Sequence, residues 1–228
     1  MAITRYLAMT AAEMRNISQF PEKIAWMACH FSPYSTGISN LPQTLPAGSL
    51  LILNDIIPFH GHDPQRIARQ LTDCLEQHNC AGVLLDFQRK NTPELDDLAA
   101  YLEKELPFPV AHPASQSGPT FVSIPPCSVP LEEYIAPWKG RDIWLEVGLS
   151  GQRLRLTTQG CEIEDLSYLD IPPQGQIEQA LHCHYRIRCL EDEIHFLLWR
   201  TRDDLNDLLD EAEHLGIQTV VGLWQEIG

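Results

Sequence analysis

Ala81-Gly82-Val83-Leu84-Leu85-Asp86-Phe87-Gln88 is a short apolar run that ends in polar side chains, and its reading decides the fold. An apolar stretch of this length, bounded by helical patterns on both sides, is a buried strand of a parallel sheet. Upstream, Asp63-Pro64 is an N-cap followed by proline at the first helical position. Apolar residues then recur at 67, 68, 71, 74 and 75 with helical spacing as far as His78. Downstream, Thr92-Pro93 opens a second helix with an apolar stripe at Leu95, Leu98, Ala99 and Leu102. Side chains alternate along a strand, so Leu84, Asp86 and Gln88 share one face, and Leu85 and Phe87 the other.

The same alternation runs along the chain. Arg5 to Met9 reads as a strand. Thr10-Ala11-Ala12-Glu13 is a capping box that starts a helix ending near Phe20. Lys23 to Phe31 and Ser49 to Asn54 read as buried strands, separated by a Pro-, Ser- and Gly-rich loop over 32–48. Strands are expected at Phe108 to Ala111, Thr120 to Ile124, Asp142 to Val147 and Gln218 to Trp224, with helices at Leu131 to Trp138 and Arg202 to Leu215. Between the seventh and eighth strands the pattern breaks. Gln152 to Thr157 with Cys161 to Asp165, and His184 to Leu190 with Glu193 to Trp199, read as antiparallel hairpins. The expected fold is α/β, a (β/α)8 TIM-type barrel reduced in helices, with a small antiparallel insertion over 150–200 within one domain spanning 1–228. No Gly-rich phosphate loop follows any strand, which argues against an open nucleotide-binding sheet.

A parallel barrel carries its site at the carboxyl ends of the strands. By that rule the candidates are His30, Asn54, Asp55, Asp86, Gln88, Glu146, Trp224 and Glu226. The fourth strand resembles that of glycoside hydrolase family 18, the chitinases and their relatives, whose signature is Asp-Gly-x-Asp-hydrophobic-Asp-aromatic-Glu. Gly82, Leu85, Asp86 and Phe87 fit it, whereas Ala81, Leu84 and Gln88 do not. Val221-Gly222-Leu223-Trp224 is similar to the family's final strand, whose Trp floors the sugar site, and the insertion stands where that family carries an extra small domain.

The resemblance implies a substrate-assisted reaction, in which the terminal Glu protonates the leaving oxygen and the preceding Asp holds the substrate's N-acetyl group. Gln88 stands at that Glu position. An amide hydrogen-bonds a sugar oxygen but is no general acid at neutral pH, which forfeits a factor of ~10²–10⁴. The expectation is therefore a chitinase-like barrel without ordinary glycosidase activity, binding a carbohydrate or another small polar ligand through Asp86, Gln88 and Trp224, with His30, Asn54 and Asp55 nearby. One alternative is an active hydrolase whose acid is Glu226 or Glu146, with Asp86 as partner. Glu226 shares strand parity with Trp224 and is preferred on that ground. Another is a structural or interaction protein whose barrel mouth is plugged by the 32–48 loop. Asp86 itself has two readings, a ligand carboxylate or a cap and ion-pair partner for the Arg89-Lys90-Asn91 loop.

With 31 acidic against 16 basic residues the formal charge is −15, which repels phosphate backbones and anionic lipid. Nucleic acid and membranes are poor partners, and the start of the chain lacks a secretory layout, so a cytoplasmic location is expected. His60, His62 and Asp63, and separately His182, His184 and His195, contain metal-ligating types, but neither group offers more than two ligands at strand spacing. No metal or cofactor is expected. Cys29 and His30 are adjacent on a strand and face opposite ways, and the seven cysteines contain no CxxC pair.

Overall fold

The computed structural model describes residues 2–17, 19, 21–89, 92–166, 171–172 and 174–228. Eight parallel strands form one sheet: β1 (Thr4–Met9), β2 (Ile24–Phe31), β4 (Leu50–Asn54), β5 (Gly82–Asp86), β6 (Val110–Ala111), β7 (Thr120–Val122), β8 (Ile143–Glu146) and β14 (Thr219–Leu223). Their spatial order is β6-β5-β4-β2-β1-β14-β8-β7, and a parallel bridge between His112 and Thr120 brings the two ends together into a nearly closed barrel. The expected barrel stands, with Gly82–Asp86 as its fourth strand.

Strand alternation sorts the apolar residues into two layers. Tyr6, Ala8, Ala25, Leu50, Ile52, Leu84, Ala111, Phe121, Trp144 and Val221 fill the barrel interior. Val83, Leu85, Leu51 and Leu53 point outward against α2 (Pro64–His78) and α3 (Pro93–Glu105), which bury Ile67, Leu71, Leu75, Leu95, Leu98 and Leu102. Two of the predicted caps form: Thr10 and Glu13 make a reciprocal capping box at α1 (Ala11–Asn16), and Asp63 accepts from Gln65 N at 3.0 Å. Helix α1 ends at Asn16, and Phe20 lies outside the described residues. The 32–48 loop is not featureless, because β3 (Ile38–Ser39) pairs antiparallel with the end of β2.

Gly82 shows how tightly the interior is filled. A Cβ there would lie 2.6 Å from the Pro109 carbonyl oxygen and 3.3 Å from the Trp144 ring. Gly82→Ala is therefore expected to cost about 2–3 kcal/mol through overpacking, measurable as a lowered urea midpoint with unchanged slope.

The barrel is reduced in helices. Between β6 and β7 the chain turns back through residues 113–119 with no helix at all. Glu103 of α3 replaces it as a brace: its carboxylate accepts from Ser115 Oγ (2.9 Å), Gln116 N (3.0 Å), Ser117 N (2.6 Å), Gly118 N (2.6 Å) and His112 Nε2 (3.1 Å). Burial alone would raise its pKa, but these hydrogen bonds outweigh burial and hold the carboxyl well below the usual range.

The insertion between β8 and β14 is one five-stranded antiparallel sheet. It comprises β9 (Gly151–Thr157), β10 (Gly160–Asp165), β11 (Gln176–Glu178), β12 (Cys183–Cys189) and β13 (Glu193–Trp199), in the order β10-β9-β13-β12-β11. The two expected hairpins are joined through β9 and β13, and β11 is an added edge strand. Helix α5 (Arg202–His214), capped by Thr201 and Asp204, then leads into β14.

One strand assignment is corrected. Trp224 does not end β14; it begins a short helix, α6 (Trp224–Ile227). Gly222 lets this helix fold back, since a Cβ there would meet the Val147 carbonyl oxygen at 2.4 Å and Ile227 at 2.7 Å. Arg202 Nη2 donates to Gln225 O at 2.7 Å, and Gln225 Nε2 donates to Glu13 Oε1 at 2.7 Å, tying α6 to α5 and α1.

Candidate functional site

Strands β2, β4 and β5 end side by side, with His30 in register with Asn54 and Asn54 in register with Asp86. A bulge in β2 between Trp26 and Cys29 shifts the alternation there. It sends Cys29 and Phe31 into the outer layer, so His30 has the inward parity of Asn54 and Asp86. His30 Nδ1 donates to Phe31 O at 2.7 Å, and its Nε2 accepts from Asn40 Nδ2 at 3.0 Å. Asn54 donates to Met27 O at 3.1 Å and accepts from Ile56 N at 3.3 Å. Both side chains are thus held in fixed orientations.

Asp55 points the other way. It is 2 % exposed, and its carboxylate accepts from Gln88 N and Arg89 N at 2.9 Å each and lies 3.8 Å from Arg89 Nε. The capping and ion-pairing that Asp86 was a candidate for among these residues are thus carried out by Asp55. Lys90 and Asn91 lie outside the described residues. Asp86, on the inner face, accepts a hydrogen bond from the Gln88 side-chain amide. Burial, reinforced by the nearby Asp55 carboxylate, raises the Asp86 pKa above the ordinary carboxylate range, against the lowering effect of Gln88.

Across the barrel, Glu146 ends β8 on the inner parity, two residues beyond the interior Trp144. Burial pushes its pKa up to about 7; the Asp86 carboxylate adds to the rise, a hydrogen bond from the Ile124 backbone opposes it, and Glu226 contributes a smaller upward push. Asp86, hydrogen-bonded to Gln88, and Glu146 are thus two partly desolvated carboxyl groups coupled by their charges. The Ile124 amide carries no side-chain signal and was not legible in the sequence.

Glu226 and Trp224 stand differently from expectation, because they sit on α6 and share no strand parity. Glu226 Oε2 accepts from Leu149 N at 2.9 Å, which pins α6 to the loop after β8. Trp224 packs against the outer apolar layer that includes Met14 and Ile24. Two surface cavities lie away from these residues. One of about 440 Å³ is at the opposite end of the barrel, lined by Lys139, Arg141, Asp142 and Gln218, and one of about 840 Å³ lies beside the inserted sheet, lined by His184, Trp199, Arg200 and Arg202.

Four of the histidines weighed as metal ligands have local partners. His62 Nε2 bonds to Ser32 O at 2.9 Å, while His182, His184 and His195 lie within 2.6, 2.7 and 2.9 Å of Glu211, Asp204 and Glu193. Among the described residues no group of three His, Cys, Asp or Glu side chains is arranged around a common point for a metal. No described helix is long and apolar enough to cross a membrane.

The fold has known counterparts. A chitinase from Chromobacterium violaceum superposes with a TM-score of 0.57 at 10% identity, covering 97% of this chain and 93% of that one. A family 18 chitinase from Cycas revoluta gives 0.56 at 8% identity, covering 96% and 94%. The chain has the fold of a family 18 glycosidase barrel. The spore cortex-lytic enzyme of Bacillus cereus gives 0.56 at 10% identity, covering 97% of this chain and 70% of that one. No protein-family model matches the sequence, and no curated protein matches it either. In this family-18-like barrel, Gln88 follows the end of the fourth strand by two residues.

Proposed function

We propose that the mouth of this family-18-like barrel binds an N-acetylated sugar or a chemically similar polar ligand without ordinary hydrolytic turnover. The observation that carries this reading is the hydrogen bond from the exposed Gln88 amide to the half-buried Asp86, a pair with hydrogen-bonding capacity but no strong proton donor at the end of the fourth strand. Asp86, freed from loop capping by Asp55, is the group to accept from the ligand's amide N–H, and Gln88 the group to meet a ring or glycosidic oxygen. His30 and Asn54 supply further polar edges from the neighbouring strand ends.

Incubation with chito-oligosaccharides at pH 5–8, followed by product analysis, tests the lack of turnover. No cleavage is expected from the wild-type chain, and Gln88→Glu is expected to introduce cleavage on the order of 10²-fold above that background. Wild-type cleavage would contradict the proposal.

The pKa of Glu146 supports a second reading. A carboxyl poised near 7 beside a second carboxylate is suited to general acid chemistry, so a hydrolase with its acid moved from β5 to β8 is the competing account. Under it, wild-type cleavage occurs and is lost in Glu146→Gln, whereas Glu226→Gln, which removes an anchor of α6, loses stability first.

A further inference from the structure

The inserted sheet leaves two of its arginines without partners. Register sets Glu162, Arg155, His195 and Arg188 in one row across β10, β9, β13 and β12, and Glu164, Arg153, Leu197 and Arg186 in the next, all on one face. The arginines of β9 are paired, Arg153 with Glu164 at 3.0 Å, and Arg155 with Glu162 at 3.1 Å and Glu193 at 2.5 Å. Those of β12 are exposed, and among the described residues neither Arg186 nor Arg188 makes an ion pair or a side-chain hydrogen bond. In a chain of net charge −15, β12 thus carries two neighbouring positive charges that no carboxylate compensates.

The edge beside them is open. β11 covers β12 only at residues 183–185, and among the described residues no strand pairs with that side of residues 186–189. Leu190 N donates to Glu193 O at 2.9 Å, which fixes the phase of the β12–β13 ladder. By alternation Arg186 and Arg188 turn their backbone groups toward β13, whereas Ile187 and Cys189 turn theirs outward, away from the sheet. Where β11 ends, a concavity of about 450 Å³ is lined by Gln174, Gly175, Gln176, Tyr185, Arg186 and Ile187.

We infer that this edge takes an acidic, extended segment of a partner protein as an added strand. A residue of the incoming strand opposite Ile187 exchanges both backbone hydrogen bonds with it, and its two neighbours then fall opposite Arg186 and Arg188, where carboxylates are favoured. The residue between those neighbours lies on the other face against Ile187, which is 52 % exposed, so an apolar side chain suits it. The segment recognised therefore alternates acidic, apolar, acidic. Glu191 and Asp192, in the turn that follows β12, bound the cationic strip at its far end. Charge also selects a partner over a second copy of this chain. Two β12 edges would set arginine against arginine, and the acidic edge strand β10 already commits Glu162 and Glu164 to Arg155 and Arg153.

Nuclear magnetic resonance titration of the isotope-labelled full chain with the acetylated, amidated peptide Thr-Glu-Val-Glu-Val-Thr tests the proposal. Saturable shifts centred on the Ile187 and Cys189 amides are expected, with a Kd below about 1 mM at low salt. Arg186→Glu/Arg188→Glu is expected to weaken binding at least tenfold. So is Ile187→Pro, which removes an outward N–H but leaves both arginines and the β13 ladder in place. On the ligand side, where folding of the chain is not at issue, methylation of the amide nitrogen of the valine between the glutamates should abolish binding. Absence of shifts with the acidic peptide would overturn the inference, as would equal binding of its lysine counterpart. Equal binding of the methylated peptide would do the same, by showing that the arginines attract charge without adding a strand. Self-association of the chain alone that Arg186→Glu/Arg188→Glu abolishes would also overturn it, because the edge would then belong to a second copy.

Discussion

Replacement of Glu103 by alanine is expected to destabilise the protein by about 3–5 kcal/mol, because it removes an enclosed acceptor that gathers the turn's hydrogen-bond donors and the buried His112. The side chain of Glu103 is 9 % exposed and its partner His112 is equally enclosed. In most crossovers of this barrel a helix covers the return between strands; between β6 and β7 a single carboxylate does so by gathering the Ser115 to Gly118 turn. Loss of that brace opens the seam where His112 and Thr120 close the barrel. Urea unfolding at pH 7 measures the cost, and a loss below about 1 kcal/mol would show that the turn holds itself. The sign with pH follows from the carboxyl being held below its unfolded value of 4.5: its contribution is full above pH 4.5 and is lost as pH falls below it. Glu103→Gln should flatten that acid limb.

The second large effect runs in the opposite direction. Glu146 has a folded-state pKa of about 7 against an ordinary 4.5, so between these values the native state binds its proton more tightly than the unfolded chain. Stability contributed by this group is intact below pH 4.5 and declines as pH rises through 7. Glu146→Gln is therefore expected to stabilise the protein at pH 8 by about 2–3 kcal/mol while changing little at pH 4.5, where the wild-type side chain is already neutral. Thermal melts of the two proteins at both pH values check this. Equal gains at pH 4.5 and pH 8 would mean that a packing change, not ionisation, is responsible.

Much of the barrel was legible because its strands are buried on both faces and read as apolar runs. The β5 alternation in particular put Leu84 on the interior side, as found, with Asp86 on the same parity, whereas Gln88 lies two residues past the strand and is exposed. What failed to read were interactions made at a distance in sequence. Glu103 looks like any solvated glutamate of an amphipathic helix, and its six-donor cluster is created by a turn that begins a dozen residues later. Leu223-Trp224-Gln225-Glu226 continues a strand by pattern, but Gly222 permits close approach of Ile227, and that packing turns the chain into helix. Asp55 and Asp86 are alike as residues at strand ends; one position in register gives the first the Arg89 loop and leaves the second in the mouth.

Isothermal titration of the full chain with a chito-oligosaccharide series, alongside Asp86→Ala, tests the central claim most directly. The account predicts saturable binding that strengthens with chain length and is weakened at least tenfold by Asp86→Ala. Absence of heat with every member of the series and with a wider panel of sugars, or binding that Asp86→Ala leaves unchanged, would contradict it.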